Sequence, residues 1–208
     1  MGSSLEKWKN LTQPPAVVEF FQGLFERVGI RVADTGEAFS ARHLGDRIEF
    51  DPTLDERNVD YTVAIDSAQI DRLAEHVQTG KLDETEQYRI VSALFTPATA
   101  AMLKSPVLSH PTLRWLAGVE DVIHVHLRGA PNGEKEFQHT LIYANRQWLV
   151  VPGLQGEPRR VYKLNLPEAL AYHRRAFAAM KTNTWSAWWS FARWYREWRK
   201  GVSLPKVN

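Results

Sequence analysis

Residues 30–66 read IRVADTGEAFSARHLGDRIEFDPTLDERNVDYTVAID, and this stretch decides the fold. Three short runs, 30–34, 37–43 and 47–50, are separated by Thr35-Gly36 and by Leu44-Gly45-Asp46, and Asp51-Pro52 ends the third. Short runs punctuated by glycine turns read as an antiparallel meander. Residues 59–66 then place Val59, Tyr61, Val63 and Ile65 at every second position, which is a fourth strand with one buried face.

Helices flank this meander on both sides. Upstream, Pro14-Pro15 suits a first helical turn. Val17, Phe20, Phe21, Leu24 and Val28 follow at the spacing of one buried stripe, with Gly29 as the stop. Residues 1–13 are polar and are expected to be a flexible N-terminus. Downstream, Asp66-Ser67 caps a helix carrying Ile70, Leu73, Ala74 and Val77, which Thr79-Gly80 ends. Asp83 with Glu86 forms a capping-box pattern for another helix, running to about residue 96 with Leu94 and Phe95 on its apolar face. A helical stretch over 98–104 and a short helix after Pro111 complete this part.

The strings Val32-Ala33-Asp34-Thr35-Gly36-Glu37-Ala38-Phe39, Leu44-Gly45-Asp46-Arg47-Ile48, Asp60-Tyr61-Thr62-Val63-Ala64-Ile65-Asp66 and Gly80-Lys81-Leu82-Asp83 resemble, in order and spacing, the sterol-carrier-type lipid-binding family over residues 14–104. The resemblance implies an antiparallel sheet covered by helices on one face, an apolar tunnel between the layers, and carriage of lipid without catalytic residues. It departs from the family after the Gly-Lys-Leu-Asp turn. There the family returns to the sheet, whereas Tyr88, Val91, Leu94 and Phe95 read as helix.

The second half changes style. Residues 121–128 and 136–144 read as strands around Pro131-Asn132-Gly133-Glu134, where Asn-Gly signals a two-residue hairpin turn. Further strands are expected at 147–151 and 160–164. Pro167 opens a long helical region to about residue 200, with a break near Thr182-Asn183-Thr184. No repeat with a period of 20–50 residues is evident.

Two constellations stand out. With Pro131 facing Glu134, His126 falls opposite His139, and His124 lies on the same face. A His-x-His strand plus a neighbouring His can supply three zinc ligands and leave an open position. The competing reading is packed histidines, and a one-residue slip would separate them. The other constellation is the C-terminal helix, where Trp185, Trp188, Trp189, Phe191, Trp194, Tyr195 and Trp198 crowd together with Arg193, Arg196 and Arg199. Indole and guanidinium suit a membrane interface. Packing against the body or a second copy is the leading reading, a membrane surface comes second, and nucleic acid ranks last.

Composition narrows the classes. The chain has 208 residues, 24% charged, and no cysteine, which excludes disulfides, cysteine nucleophiles and thiolate metal sites. The N-terminus has no apolar signal run, Glu6 breaks the myristoylation pattern, and no stretch approaches the ~20 apolar residues of a membrane span. The expected location is cytoplasmic, with peripheral membrane contact open. The net charge of +2 is unevenly spread, at −7 over residues 1–158 and +9 over 159–208. No nucleotide-loop, nucleophile-elbow or zincin motif occurs, and no motif names a cofactor.

The reading is therefore an α+β protein. It comprises a flexible N-terminus (1–13), a sterol-carrier-like domain (14–104), a β-rich extension packed on the same core (105–166) and a basic, tryptophan-rich helical segment (167–208). The expected function is noncatalytic binding or transfer of a hydrophobic small molecule such as a lipid, sterol, acyl chain or quinone. The expected lining is Phe20, Phe21, Leu24, Tyr61, Val63, Ile65, Ile70, Leu73, Val77, Leu94 and Phe95. The alternatives are a metal-dependent enzyme using His124, His126 and His139, or an interaction module. In the latter, Trp185, Trp188, Trp189, Arg193, Trp194, Arg196 and Trp198 meet a membrane, a partner or a second copy.

Overall fold

The N-terminal residues expected to be loose form a helix, α1 (Ser4–Leu11). The Ser3 side chain accepts a hydrogen bond from the Glu6 N–H, which is the first half of a capping box that Ser3-Ser4-Leu5-Glu6 spells out. The Glu37 carboxylate receives the Ser4 and Leu5 N–H groups at 3.3 and 3.4 Å, so a negative charge sits at the positive end of this helix. Leu11 buries its side chain and Lys7 pairs with Asp71. These positions come from a computed structural model that describes residues 3–77, 82–118, 121–131 and 133–202, with only the backbone described for His76 and Val77. The Thr79-Gly80 helix stop, the Gly80-Lys81 half of the Gly80-Lys81-Leu82-Asp83 turn and Asn132 lie outside the described residues.

Helix α2 (Pro15–Phe21) begins at the expected proline but ends well before Gly29. Gly23, at φ +75°, turns the chain out of the helix, and Val28 and Gly29 belong to β1 (Arg27–Val32). Val28 continued the expected stripe because this first buried position of β1 falls four residues after Leu24. Strands β2 (Ala38–His43), β3 (Ile48–Asp51) and β4 (Tyr61–Ile65) complete a sheet of order β3-β2-β1-β4. The meander is antiparallel as expected. The fourth strand, however, pairs parallel to β1, so the sheet is mixed. One face buries Val28, Ile30, Val32, Phe39, Ala41, Tyr61, Val63 and Ile65. Helix α3 (Ser67–Val77) follows, burying Ile70 and Leu73. Helix α4 (Glu84–Leu103) starts where Asp83 accepts the Glu86 N–H at 2.8 Å. It continues through Pro97, where the sequence predicted a stop.

The chain divides into two compact units, the first ending at Pro97 and the second beginning at Ala98. The residues expected as an extension and as a separate tail thus group together, around a sheet of their own. After α5 (Pro111–Ala117) come β5 (Val122–Leu127), β6 (Phe137–Ala144), β7 (Gln147–Pro152) and β8 (Arg160–Leu164). Their order is β7-β6-β5-β8, with β8 parallel to β5. Helices α6 (Leu166–Thr182) and α7 (Trp185–Val202) end the unit, separated by Asn183 at φ +46°.

The second unit repeats the topology of the first. Three backbone bonds outside the ladders recur in equivalent places. His43 N–H to Glu26 C=O matches Tyr143 to Asp121, Asp60 to Arg27 matches Arg159 to Val122, and Ala33 to Ile65 matches Arg128 to Leu164. The β2–β3 turn holds Gly45 at φ +95° and the β6–β7 turn holds Asn145 at φ +51°. After the fourth strand, the Gln69 side chain accepts the Asp66 N–H, as the Glu168 side chain accepts the Asn165 N–H in the second unit. The period is far longer than that of short solenoid repeats, and the side chains at matching positions mostly differ. Sequence self-comparison over short windows therefore passes over it.

Candidate functional site

The residues expected to line a ligand site all belong to the first unit. Phe20, Phe21 and Leu24 arrive from α2 and the turn after it, Tyr61, Val63 and Ile65 from β4, Ile70 and Leu73 from α3, and Leu94 and Phe95 from α4. All are buried. The Val77 side chain lies outside the described residues. Phe20 meets Phe21 edge-on, and Phe21 lies 5.7 Å from Phe25, ring centre to ring centre. Polar groups among them are turned to the backbone. The Tyr61 hydroxyl donates to the Leu24 carbonyl at 2.7 Å, and burial, with the nearby Asp60 charge, holds its pKa well above 10. The His43 Nε2 lies 2.9 Å from the Val18 carbonyl. Burying each such large apolar side chain contributes about 1.5–3 kcal/mol to the packing of this unit.

The three histidines are not brought together. His139 pairs with Val125, while His126 pairs with Gln138 and His124 with Thr140. Strand faces alternate, so His124 and His126 lie on one face and His139 on the other. Nine residues, 128–136, separate the paired ends Leu127 and Phe137, so the ladder is displaced by one residue from that of a two-residue turn. His124 Nε2 lies 3.0 Å from the Gln155 carbonyl in the β7–β8 connection, which also engages the Thr140 hydroxyl. His126 is held below its ordinary pKa, first by burial and then by Lys163, and receives Gln138 at 3.2 Å. His139 is fully buried beside Phe137, and burial lowers its pKa to about 3. Among the described residues no group of three His, Cys, Asp or Glu side chains could hold a metal ion.

The aromatic helix α7 turns one face into the second unit, burying Trp188, Ala192, Tyr195 and Val202. Trp188 is fully buried and its indole N–H donates to the Asn183 side chain at 3.3 Å. Tyr195 donates to the Tyr162 hydroxyl at 2.9 Å. Tyr172 stacks on Trp198 at 5.4 Å, Trp198 on Trp194 at 5.5 Å, and Arg175 of α6 lies over Trp194. Arg199 donates to the Gly118 carbonyl, which ties α7 to the end of α5. Of the residues expected to meet a membrane or partner, Trp188 is core, and Trp189, Trp194 and Trp198 are half-buried. Trp185, Arg193 and Arg196 are exposed.

Trp115 was missed by the sequence reading. It is 75% exposed on α5, opposite the buried Leu113, Leu116 and Ala117. Its signal was legible, since a tryptophan off the apolar stripe of a short helix has no core position to occupy. No helix among the described residues is long and apolar enough to cross a membrane. Set against family models, curated proteins and solved structures, the chain matches none.

Proposed function

We propose that the protein binds or transfers a hydrophobic small molecule, such as an acyl chain, sterol or quinone, without catalysing a reaction, and that the first unit holds it. The observation that carries this reading is the burial of large apolar side chains from α2, β4, α3 and α4 within the first unit. The inward polar groups there, on Tyr61 and His43, meet backbone carbonyls. The resemblance of residues 14–104 to sterol carriers supports the same reading. So does the layout of a sheet with helices against its apolar face.

Native mass spectrometry of the purified full chain, followed by denaturation, tests it. A lipid-sized mass is expected to leave on denaturation, and the protein is expected to take up a fluorescent acyl probe. Ile70→Phe, which adds bulk inside the layer, should lower probe uptake several-fold in a protein that still melts cooperatively. Failure to bind any acyl, sterol or quinone probe, with no released lipid, would overturn the reading. The three-histidine enzyme is set aside, because the β5–β6 register puts His139 on the opposite face of the sheet from His124 and His126.

A further inference from the structure

Among the described residues the exposed large hydrophobic side chains are Trp115, Leu149, Leu154 and Trp185, and all four belong to the second unit. The same unit carries the positive charge. Residues 98–208 hold sixteen Lys/Arg and seven Asp/Glu, a net of +9, while residues 1–97 hold ten and seventeen, a net of −7. Two of the exposed side chains stand on neighbouring helices. Trp185, 45% exposed at the start of α7, meets His110, the N-cap of α5, edge-on at 5.1 Å. At the other end Arg199 of α7 holds Gly118, the C-cap of α5. The two helices thus run side by side, and Trp115 projects from the exposed side of α5. Trp189, 6.2 Å from Trp185, continues the aromatic edge. At helical spacing Arg193, Arg196 and Lys200 lie on the same side of α7 as Trp185, and all three are exposed.

We propose that this α5–α7 face docks on an anionic lipid surface. Trp115 and Trp185 would enter at headgroup depth, and Arg193, Arg196 and Lys200 would meet lipid phosphates and carboxylates. Indole is amphipathic and settles at membrane interfaces. Each basic side chain near such a surface adds about 1 kcal/mol, or about fivefold in binding. A single nucleic-acid strand is held in a basic groove with successive bases stacked on aromatics, whereas Arg193, Arg196 and Lys200 lie along one exposed side of a single helix. Lys200 also pairs with Glu197, so Arg193 and Arg196 carry more of the attraction. The proposal does not depend on a ligand in the first unit.

Co-sedimentation of the full chain with phosphatidylcholine vesicles, with and without phosphatidylserine, tests it at low and high salt. Binding is expected only with phosphatidylserine, weakening as salt rises. The Trp115→Ala/Trp185→Ala variant should lose at least tenfold in binding, with its melting temperature nearly unchanged because both side chains are exposed. Arg193→Gln/Arg196→Gln should remove the preference for phosphatidylserine, while Leu149→Ala, on the opposite face of β7 from the Trp148 that Arg114 of α5 approaches, should bind as the parent does. Absence of binding, equal binding to both vesicles, or insensitivity to the two tryptophans would overturn the proposal. So would tighter retention on single-stranded RNA that the same tryptophan variant abolishes. Ligand uptake by the first unit is read separately, with the acyl probe and no vesicles.

Discussion

His139 occupies in the second sheet the place that Phe39 occupies in the first. Phe39 pairs with Ile30 on the neighbouring strand and His139 with Val125, each on the buried face and each 1% exposed or less. A phenyl ring in one unit is answered by an imidazole in the other. That imidazole stays neutral because burial lowers its pKa from 6.5 to about 3. Between these values the unfolded chain carries a proton at residue 139 that the folded chain lacks. Stability therefore falls as the pH is lowered through this window, by up to about 1.4 kcal/mol per pH unit. His139→Phe should leave stability at pH 7 within about 1.5 kcal/mol, as a near-volume-conserving core change does. It should also remove most of this acid loss, leaving the smaller contribution of His126, whose pKa is shifted in the same direction. Urea unfolding of parent and variant at pH 7, 5 and 4 reads the difference. Parallel slopes with pH would show that His139 protonates without unfolding.

The buried tyrosines give the opposite dependence at high pH. Burial raises the pKa of Tyr61, Tyr162, Tyr172 and Tyr195. Each ionises more readily in the unfolded chain, so their contribution to stability is complete below pH 10 and is lost as pH rises above it. Ultraviolet titration should show tyrosinate absorbance from these four appearing together with loss of near-ultraviolet dichroism. Tyr195→Phe deletes the donor to Tyr162 and is expected to cost about 1–2 kcal/mol. A smooth titration of all tyrosines in a still-folded protein would contradict the packing around Tyr162.

On α7, position decides the effect of losing an indole. Trp188 is fully buried, so Trp188→Ala should cost about 3–5 kcal/mol and lower the melting temperature sharply. Trp185 is 45% exposed, and Trp185→Ala should change stability by about 0.5 kcal/mol or less. Thermal melts of the two variants separate a helix packed in its unit from one held only by an external partner. Equal, small effects would favour the latter.

Much of this was legible in the sequence, because strands that bury one face write their period openly. Residues 136–144 were expected as a strand and Phe137–Ala144 form one, and the break at Asn183 came where Thr182-Asn183-Thr184 placed it. The failures share a cause, which is that local pattern does not fix register or connection. Val28 fits a helical stripe and a strand face equally well, and only the positive φ at Gly23 decides between them. The pairing of His139 depends on the whole connection between β5 and β6, not on the Asn132-Gly133 signal inside it. Parallel pairing of β4 with β1 is a choice of sheet edge that no short window records. For the candidate sites, burial of the apolar positions could be read, and the exposure of Trp115 was legible too, from its place off the apolar stripe of α5.

The contact between Gly118 and Arg199 supplies a last test, in which two substitutions should not add. Gly118 sits at φ +61°, in the left-handed region, so any side chain there is strained by about 1–2 kcal/mol. A Cβ at this position would also lie 2.9 Å from the Arg199 Cζ, inside contact distance. Gly118→Ala should therefore cost more than the backbone strain alone, about 2–4 kcal/mol in all. Arg199→Ala removes the obstructing guanidinium together with its hydrogen bond to the Gly118 carbonyl, at about 1.5–3 kcal/mol. In that background Gly118→Ala should cost only the backbone strain, so the double variant is more stable than the sum of the single losses implies. Urea denaturation of the four proteins measures the coupling. Strict additivity would mean that the guanidinium does not occupy the space beside Gly118, and that α5 and α7 are joined by their apolar contacts alone.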